Sequence, residues 1–238
     1  MKEKIGQRLG SYVLTAFIGK GNSGAVFQAA RQTDGRIVAV KVISPQIASK
    51  PRFENQFEDV TKAAIKLNHP GIVKTIEAGS TTGAEWYIVM EFVPGSNLGA
   101  YLAQLVSLHQ VINLEESVMI ARQATMALAA AHQQGVWHGN LRPNNLLLSE
   151  AKQPDPLRIL LTDFGLTKLL ESSSPQVTVP IFGDPMYFSP ERCLGQPVDG
   201  RSDIYAMGLI LYQLVTGSKP FIIRSAAEAY QRHVNEEL

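Results

Sequence analysis

The 238-residue chain predicts a two-lobed α+β fold. Three observations carry that expectation. Up to Val93 the apolar residues run in short β-rich stretches between turn signals, with a single helical stretch among them. Pro94-Gly95 then breaks the pattern. Beyond it apolar residues recur three and four apart, which is helical spacing. A β-rich first lobe over 1–93 and a mostly helical second lobe over 94–238 separate the two kinds of element, as α+β folds do.

Taken in order, residues 1–10 are a polar lead-in. Tyr12 to Ile18 reads as a strand, then comes Gly19-Lys-Gly21-Asn-Ser-Gly24, then a strand over Ala25 to Ala29. Asp34-Gly35 is a hairpin signal before a third strand, Ile37 to Ile43. Phe53, Phe57, Val60, Ala64 and Leu67 share one helical face. Asn68-His-Pro70-Gly71 ends that helix, since the residue before Pro avoids helical geometry. Strands are expected over Ile72 to Ala78 and Trp86 to Val93. In the second lobe, Asn113-Leu-Glu-Glu116 has the form of a capping box. It opens a helix whose stripe is Ile120, Ala124, Leu128 and Ala131, ended by Gly135. Short strands follow at Leu146–Leu148 and Arg158–Leu161, then an irregular stretch to Cys193. Ile204, Met207, Leu211, Leu214 and Val215 mark a further amphipathic helix stopped at Gly217 and Pro220. A polar helix from Ser225 closes the chain.

Composition narrows the function classes. Hydrophobic residues make up 45% and charged residues 18%, enough for a packed core. A net charge of +1 gives no electrostatic footprint for nucleic acid or an anionic membrane. The lone Cys193 makes no internal disulfide, so a reducing, cytoplasmic setting is expected. The longest apolar runs, such as Met207 to Val215, are too short to span a bilayer.

Several short motifs carry the chemistry. In the loop between a helix exit and a strand lie His138, Gly139, Asn140, Arg142 and Asn145, where a rigid scaffold can present side chains to a ligand. G-x-G-x-x-G alone is weak, but here it lies between two strands rather than before a helix, which argues against a dinucleotide fold. Glycines there let backbone N–H groups approach phosphates. Lys41, ending Val38-Ala-Val-Lys41, reads on its own equally as an exposed strand lysine. Asp163-Phe-Gly165 and Phe188-Ser-Pro-Glu191 complete the series.

Together and in this order, from Tyr12 to the end, these motifs resemble the protein kinase family, especially the bacterial eukaryotic-like Ser/Thr kinases. The resemblance implies ATP and Mg²⁺ as cofactors and a protein partner or substrate. Gly19, Gly21 and Gly24 would cover the phosphates and Lys41 would pair with them. Val26 and Ala39 would pack above the adenine and Leu147 below it. The backbone from Glu91 to Val93, next to Met90, would bond its edge. Asn145 and Asp163 would hold Mg²⁺. Each has a plain alternative: Val26, Ala39 and Leu147 as core residues, Asn145 as a turn cap.

Four departures from the family point to impaired catalysis. Asn140 stands at the position of the catalytic Asp, and an amide is no general base. Val60 stands where the family has the helix Glu that pairs with Lys41, so Lys41 is expected to turn to Asp163 or to phosphate. Glu58 and Asp59 are expected on a solvated face. Gly139 replaces the Arg that clamps a phosphorylated loop, leaving Ser172, Ser173, Ser174 and Thr178 without their usual receiver. Asp184 replaces the Thr of the family's G-T-P-x-Y in Gly183-Asp-Pro-Met-Tyr187, and an Asp184–Arg142 ion pair is a candidate. The family continues for two more helices past the segment resembling Ser225–Leu238, so the second lobe is expected to be truncated and Glu191 to lack the family's Arg. Asp203 matches the family's anchor of the catalytic loop.

Overall fold

A computed structural model describes residues 2–150, 157–169, 183–221, 223 and 225–236. Ser172, Ser173, Ser174 and Thr178 lie outside them. The chain divides into two compact units: Met1–Asn68 with Val73–Pro94 and Leu166–Phe182, and His69–Ile72 with Gly95–Gly165 and Gly183–Leu238.

The first unit is built on a six-stranded antiparallel sheet. Its strands are β1 (Arg8–Leu9), β2 (Tyr12–Gly21), β3 (Gly24–Arg31) and β4 (Ile37–Ile43). After two helices, α1 (Pro45–Ala48) and α2 (Phe53–Lys66), come β5 (Thr75–Ser80) and β6 (Trp86–Glu91). The spatial order is β1-β2-β3-β4-β6-β5. Alternation sorts the side chains to two faces. Leu9, Tyr12, Leu14, Phe27, Ala29, Val38, Val40 and Val89 form one core cluster. On the other face Val26, Lys41 and Ile88 stand in one cross-strand row, with Gln28, Ala39 and Met90 in the next. Trp86 shares that face, and Phe53 and Phe57 of α2 meet its ring edge-on at 5.3 and 4.9 Å. The apolar stripe of α2 therefore covers the face that carries Lys41.

The strand expected from Ile72 starts later. Ile72 makes only an isolated parallel bridge with Leu161, in the second unit, and regular pairing begins at Thr75.

Beyond its segment His69–Ile72, the second unit continues with β7 (Ser96–Asn97), α3 (Leu98–Ser107) and α4 (Leu114–His132). Asn97 caps α3 through the Ala100 N–H, and Asn113 caps α4 through the Glu116 N–H at 2.8 Å. The forward half of the capping box is thus made, while the Glu116 carboxylate accepts from Tyr101 Oη at 3.0 Å. The stripe Ile120, Ala124, Leu128 and Ala131 is fully buried. Two strands, β8 (Leu146–Glu150) and β9 (Leu157–Leu161), join β7 in a three-stranded sheet. Then come α5 (Pro190–Cys193), α6 (Gly200–Thr216), capped by left-handed Gly217, and α7 (Ala226–Asn235), capped by Ser225.

The stripe read for α6 is corrected. Ile204, Leu211 and Val215 are exposed, and the buried face is Ser202, Asp203, Ala206, Met207, Leu209, Ile210 and Leu214. From Ile204 to Val215 nearly every position of α6 is apolar, so periodicity alone does not select a phase. Polar anchors select it: Asp203 and Ser202 bond inward, and the helix turns to suit them.

Candidate active site

In the first unit the glycine-rich stretch is a β2–β3 hairpin with Asn22 and Ser23 at its tip and Gly21 opposite Gly24. The three glycines have different reasons to be there. At Gly24, φ is 150° and a Cβ would fall 2.0 Å from the Val42 carbonyl oxygen, so packing against β4 demands glycine. At Gly19 and Gly21 a Cβ would meet nothing within 4 Å, which leaves bare backbone open to a ligand. Lys41 is 3% exposed, so the reading of it as an exposed strand lysine is set aside. Burying an ammonium is costly unless it is compensated, so this position is set apart from a surface lysine. Val60 on α2 is 5% exposed and lies on the stripe over Lys41's face, whereas Glu58 points outward to Lys62 Nζ at 2.7 Å. Val26 is half-buried, Ala39 and Met90 are buried, and Glu91 and Val93 are half-buried at the end of β6 and just beyond it. The Glu91 carboxylate accepts from the Lys74 N–H at 2.9 Å.

In the second unit the polar loop hangs from α6. Asp203, 1% exposed, accepts from the His138 N–H at 2.8 Å and the Gly139 N–H at 2.7 Å, and lies 2.9 Å from His132 Nε2. One carboxylate so fixes two successive peptide groups; charge-assisted bonds of this kind are the strong ones. Gly139 takes φ 71°, a left-handed conformation that glycine adopts freely. His138 is wholly buried beside the Phe164 ring, with centroids 4.9 Å apart. Burial pushes its pKa down, against the pull of the Asp203 and Asp163 charges.

Asn145 is buried and donates from Nδ2 to the Asn140 carbonyl at 2.8 Å. Its own carbonyl accepts from the Thr162 N–H at 3.1 Å, which ties the start of β8 to the residue before Asp163. With Nδ2 committed, the amide's oxygen is the end left for a ligand. Asp163 takes φ 70°, strained for a non-glycine residue, and such strain persists where the surroundings over-determine it. The Asn145 amide oxygen and the Asp163 carboxylate, at adjoining strand ends, are hard oxygen donors, the chemistry that suits cations such as Mg²⁺. Leu147, half-buried, faces Leu160 across the β8–β9 pair.

Asn140 is half-buried with its Oδ1 against Gly183, where a Cβ would come within 2.6 Å. A small polar cavity is lined by Gly139, Asn140, Asp184, Phe188, Arg192 and Asp203, among others. Among the described residues no ion pair joins Asp184 to Arg142: Asp184 instead caps the turn Pro185–Tyr187 by accepting from the Met186 N–H at 3.1 Å. Among the described residues the buried Arg142 Nε finds no hydrogen-bond partner.

Two residues that sequence patterns did not single out complete the loop's surroundings. Arg192 lies 3.9 Å over the Phe188 ring and donates to the Gly139 carbonyl. Ser202 donates to Glu191, which supplies a partner other than the family's Arg. Against the effect of burial, this bond and the Glu191 backbone N–H hold the Glu191 carboxyl below its usual range. Cys193 is half-buried and its thiol is pushed up to about 11 by desolvation, which leaves it protonated and inert.

The comparisons agree with this anatomy. Residues 12–238 match the protein kinase domain family. The serine/threonine-protein kinase pkn3 of Myxococcus xanthus is 36% identical over 99% of this chain and 43% of its own length. PknA of Mycobacterium tuberculosis is 31% identical over 99% of this chain and 54% of its own. The chain thus spans about half the length of the curated relatives it matches. The crystal structure of the Mycobacterium tuberculosis PknI kinase domain superposes with a TM-score of 0.74 at 26% identity, covering 98% of this chain and 91% of that one. No helix among the described residues is long and apolar enough to cross a membrane. The chain belongs to the protein kinase domain family, in its bacterial eukaryotic-like Ser/Thr branch.

Proposed function

We propose that this domain binds ATP with a divalent cation and transfers phosphate poorly or not at all, acting in signalling through nucleotide-dependent conformation and binding to a protein partner. Asn140 carries the reading. A hydroxyl awaiting phosphorylation finds there an amide oxygen that accepts its hydrogen bond but takes no proton. Loss of a general base slows a reaction by about 10²–10⁴, against kinase turnover of roughly 1–100 s⁻¹.

The parts that bind nucleotide remain. Gly19 and Gly21 offer open backbone, Lys41 a buried cation, and Asn145 and Asp163 hard oxygens. A cation held between those oxygens and the phosphates would neutralise phosphate charge. The Asn140 loop is held in place by hydrogen bonds to Asp203 and from Asn145. That observation favours a second reading, a weakly active Ser/Thr kinase, since positioning and electrostatics supply most of phosphoryl transfer.

Two measurements test the reading. Millimolar ATP with Mg²⁺ is expected to raise the thermal midpoint, because ligand at a hundred times its Kd stabilises by about 2.7 kcal/mol. No shift would remove the nucleotide claim. Transfer from γ-labelled ATP is then compared among wild type, Asn140→Asp and a Lys41→Met blank. Wild type equal to the blank, with a gain in Asn140→Asp, is the expected result. Wild type well above the blank would establish the weakly active kinase in its place.

A further inference from the structure

Helix α7 lies outside every motif discussed so far, yet two of its side chains lead back to the Asn140 loop. His233, 3% exposed, has Nε2 2.8 Å from the Pro185 carbonyl oxygen and Nδ1 2.9 Å from Tyr205 Oη of α6. A carbonyl only accepts, so Nε2 carries the hydrogen, Nδ1 is the acceptor, and the Tyr205 hydroxyl donates to it. The ring is held edge-on by Phe221 at 5.1 Å and by the Tyr205 ring at 5.7 Å. Desolvation lowers the His233 pKa, which favours this neutral ring.

Pro185 begins the short turn that Asp184 caps, and the preceding Gly183 lies against the Asn140 amide. A second route starts one helical turn earlier. Tyr230 stacks on Phe188 with centroids 6.4 Å apart, Arg192 lies 3.9 Å over the same Phe188 ring, and Arg192 donates to the Gly139 carbonyl. Both routes from α7 end on the successive residues 139 and 140.

We propose that His233 is a positioning residue for the Asn140 loop, and that α7 is the element through which the placement of residues 139 and 140 is set. The proposal rests on the functional reading above only in taking Asn140 as the site. Its physical content is that the His233 bridge, and not burial of the helix alone, holds Pro185 and hence Gly183 against Asn140.

The test follows amide hydrogen exchange in the nucleotide-free protein, so that failure to bind ATP would leave its outcome intact. His233→Phe keeps an aromatic ring of similar bulk and removes both hydrogen bonds. His233→Gln keeps a donor able to reach the Pro185 carbonyl. Ser225→Ala removes only the cap of α7, whose hydroxyl accepts from the Glu228 N–H at 3.1 Å, and serves as a control for plain helix destabilisation. In His233→Phe, exchange at Met186, Tyr187 and Asn140 is expected to quicken at least tenfold, with the β4 amides unchanged. His233→Gln is expected to bring those rates back to within about threefold of wild type. Unchanged exchange at Asn140, equal quickening by Ser225→Ala, or no recovery with His233→Gln would overturn the proposal. Should His233→Phe fail to fold, nitrogen-15 spectra of the wild-type ring decide instead. The Nε2–H tautomer with a slowly exchanging ring proton supports the bridge, and the Nδ1–H tautomer or a fast-exchanging proton overturns it.

Discussion

At the scale of single residues, backbone conformation separates substitutions that look alike in sequence. Gly139 departs from the family's Arg, and the obvious reading is a lost phosphate clamp. The structure adds a second effect: φ is 71°, and a side chain there would hold a left-handed conformation that costs roughly 1–2 kcal/mol. Gly139→Ala is therefore expected to lower the unfolding free energy by about 1 kcal/mol. Urea titration measures it, and an unchanged midpoint at unchanged slope would mean that the backbone relaxes away from this conformation. The same logic divides the three glycines of the β2–β3 hairpin. Their shared spacing was legible in the sequence, but that Gly24 serves packing while Gly19 and Gly21 leave backbone bare was not, because the Val42 carbonyl that decides it sits on another strand. Lys41 was equally ambiguous from its neighbours in sequence. The motifs that follow it already argued against a surface lysine, and its burial removes that reading.

At the scale of elements, local signals were read well wherever one face of the element is polar. The α2 and α4 stripes and the Asn113 cap stand where their spacing put them. In α6 the phase was missed because apolar residues surround the helix, and the deciding interactions are polar and distant in sequence. Asp203 reaches back 64 and 65 residues to the loop it holds. Its removal gives the clearest prediction at this scale. Asp203→Ala leaves the N–H groups of His138 and Gly139 without an acceptor, at about 1–3 kcal/mol for each buried unsatisfied donor. A loss of several kcal/mol in stability is expected, with Asp203→Asn losing less because its amide oxygen can still accept from one of them. Chemical denaturation of the two variants checks this ordering. Equal losses would show that the charge matters and the hydrogen bonds do not.

At the scale of the whole molecule, the change from β-rich to helical spacing at Pro94-Gly95 carried the fold class, the order of motifs carried the family, and Asn140 carried the functional question. What stayed hidden were side chains such as His233 and Arg192, whose partners lie 48 and 53 residues away and follow no periodicity. The buried histidines also give the molecule a stability profile that composition does not suggest. Burial lowers the pKa of both His138 and His233. In the unfolded chain a histidine titrates near 6.5. Below that pH the unfolded state binds more protons than the folded one, so stability rises with pH across this window. The contribution is fully present above about 6.5 and is lost as pH falls towards the lowered folded values. Carboxyls held low in the folded state, such as Asp34 and Glu85, act in the same direction only at more acid pH, as pH falls below the unfolded carboxylate value of about 4. Between pH 7 and 5 the two histidines should therefore dominate, with a limiting slope of about 1.4 kcal/mol per pH unit for each. Denaturant titrations at pH 7.5, 6.5, 5.5 and 5.0 measure that slope. Stability that holds constant down to pH 5 would mean that both rings accept protons inside the folded protein, and that neither is neutral by virtue of its burial.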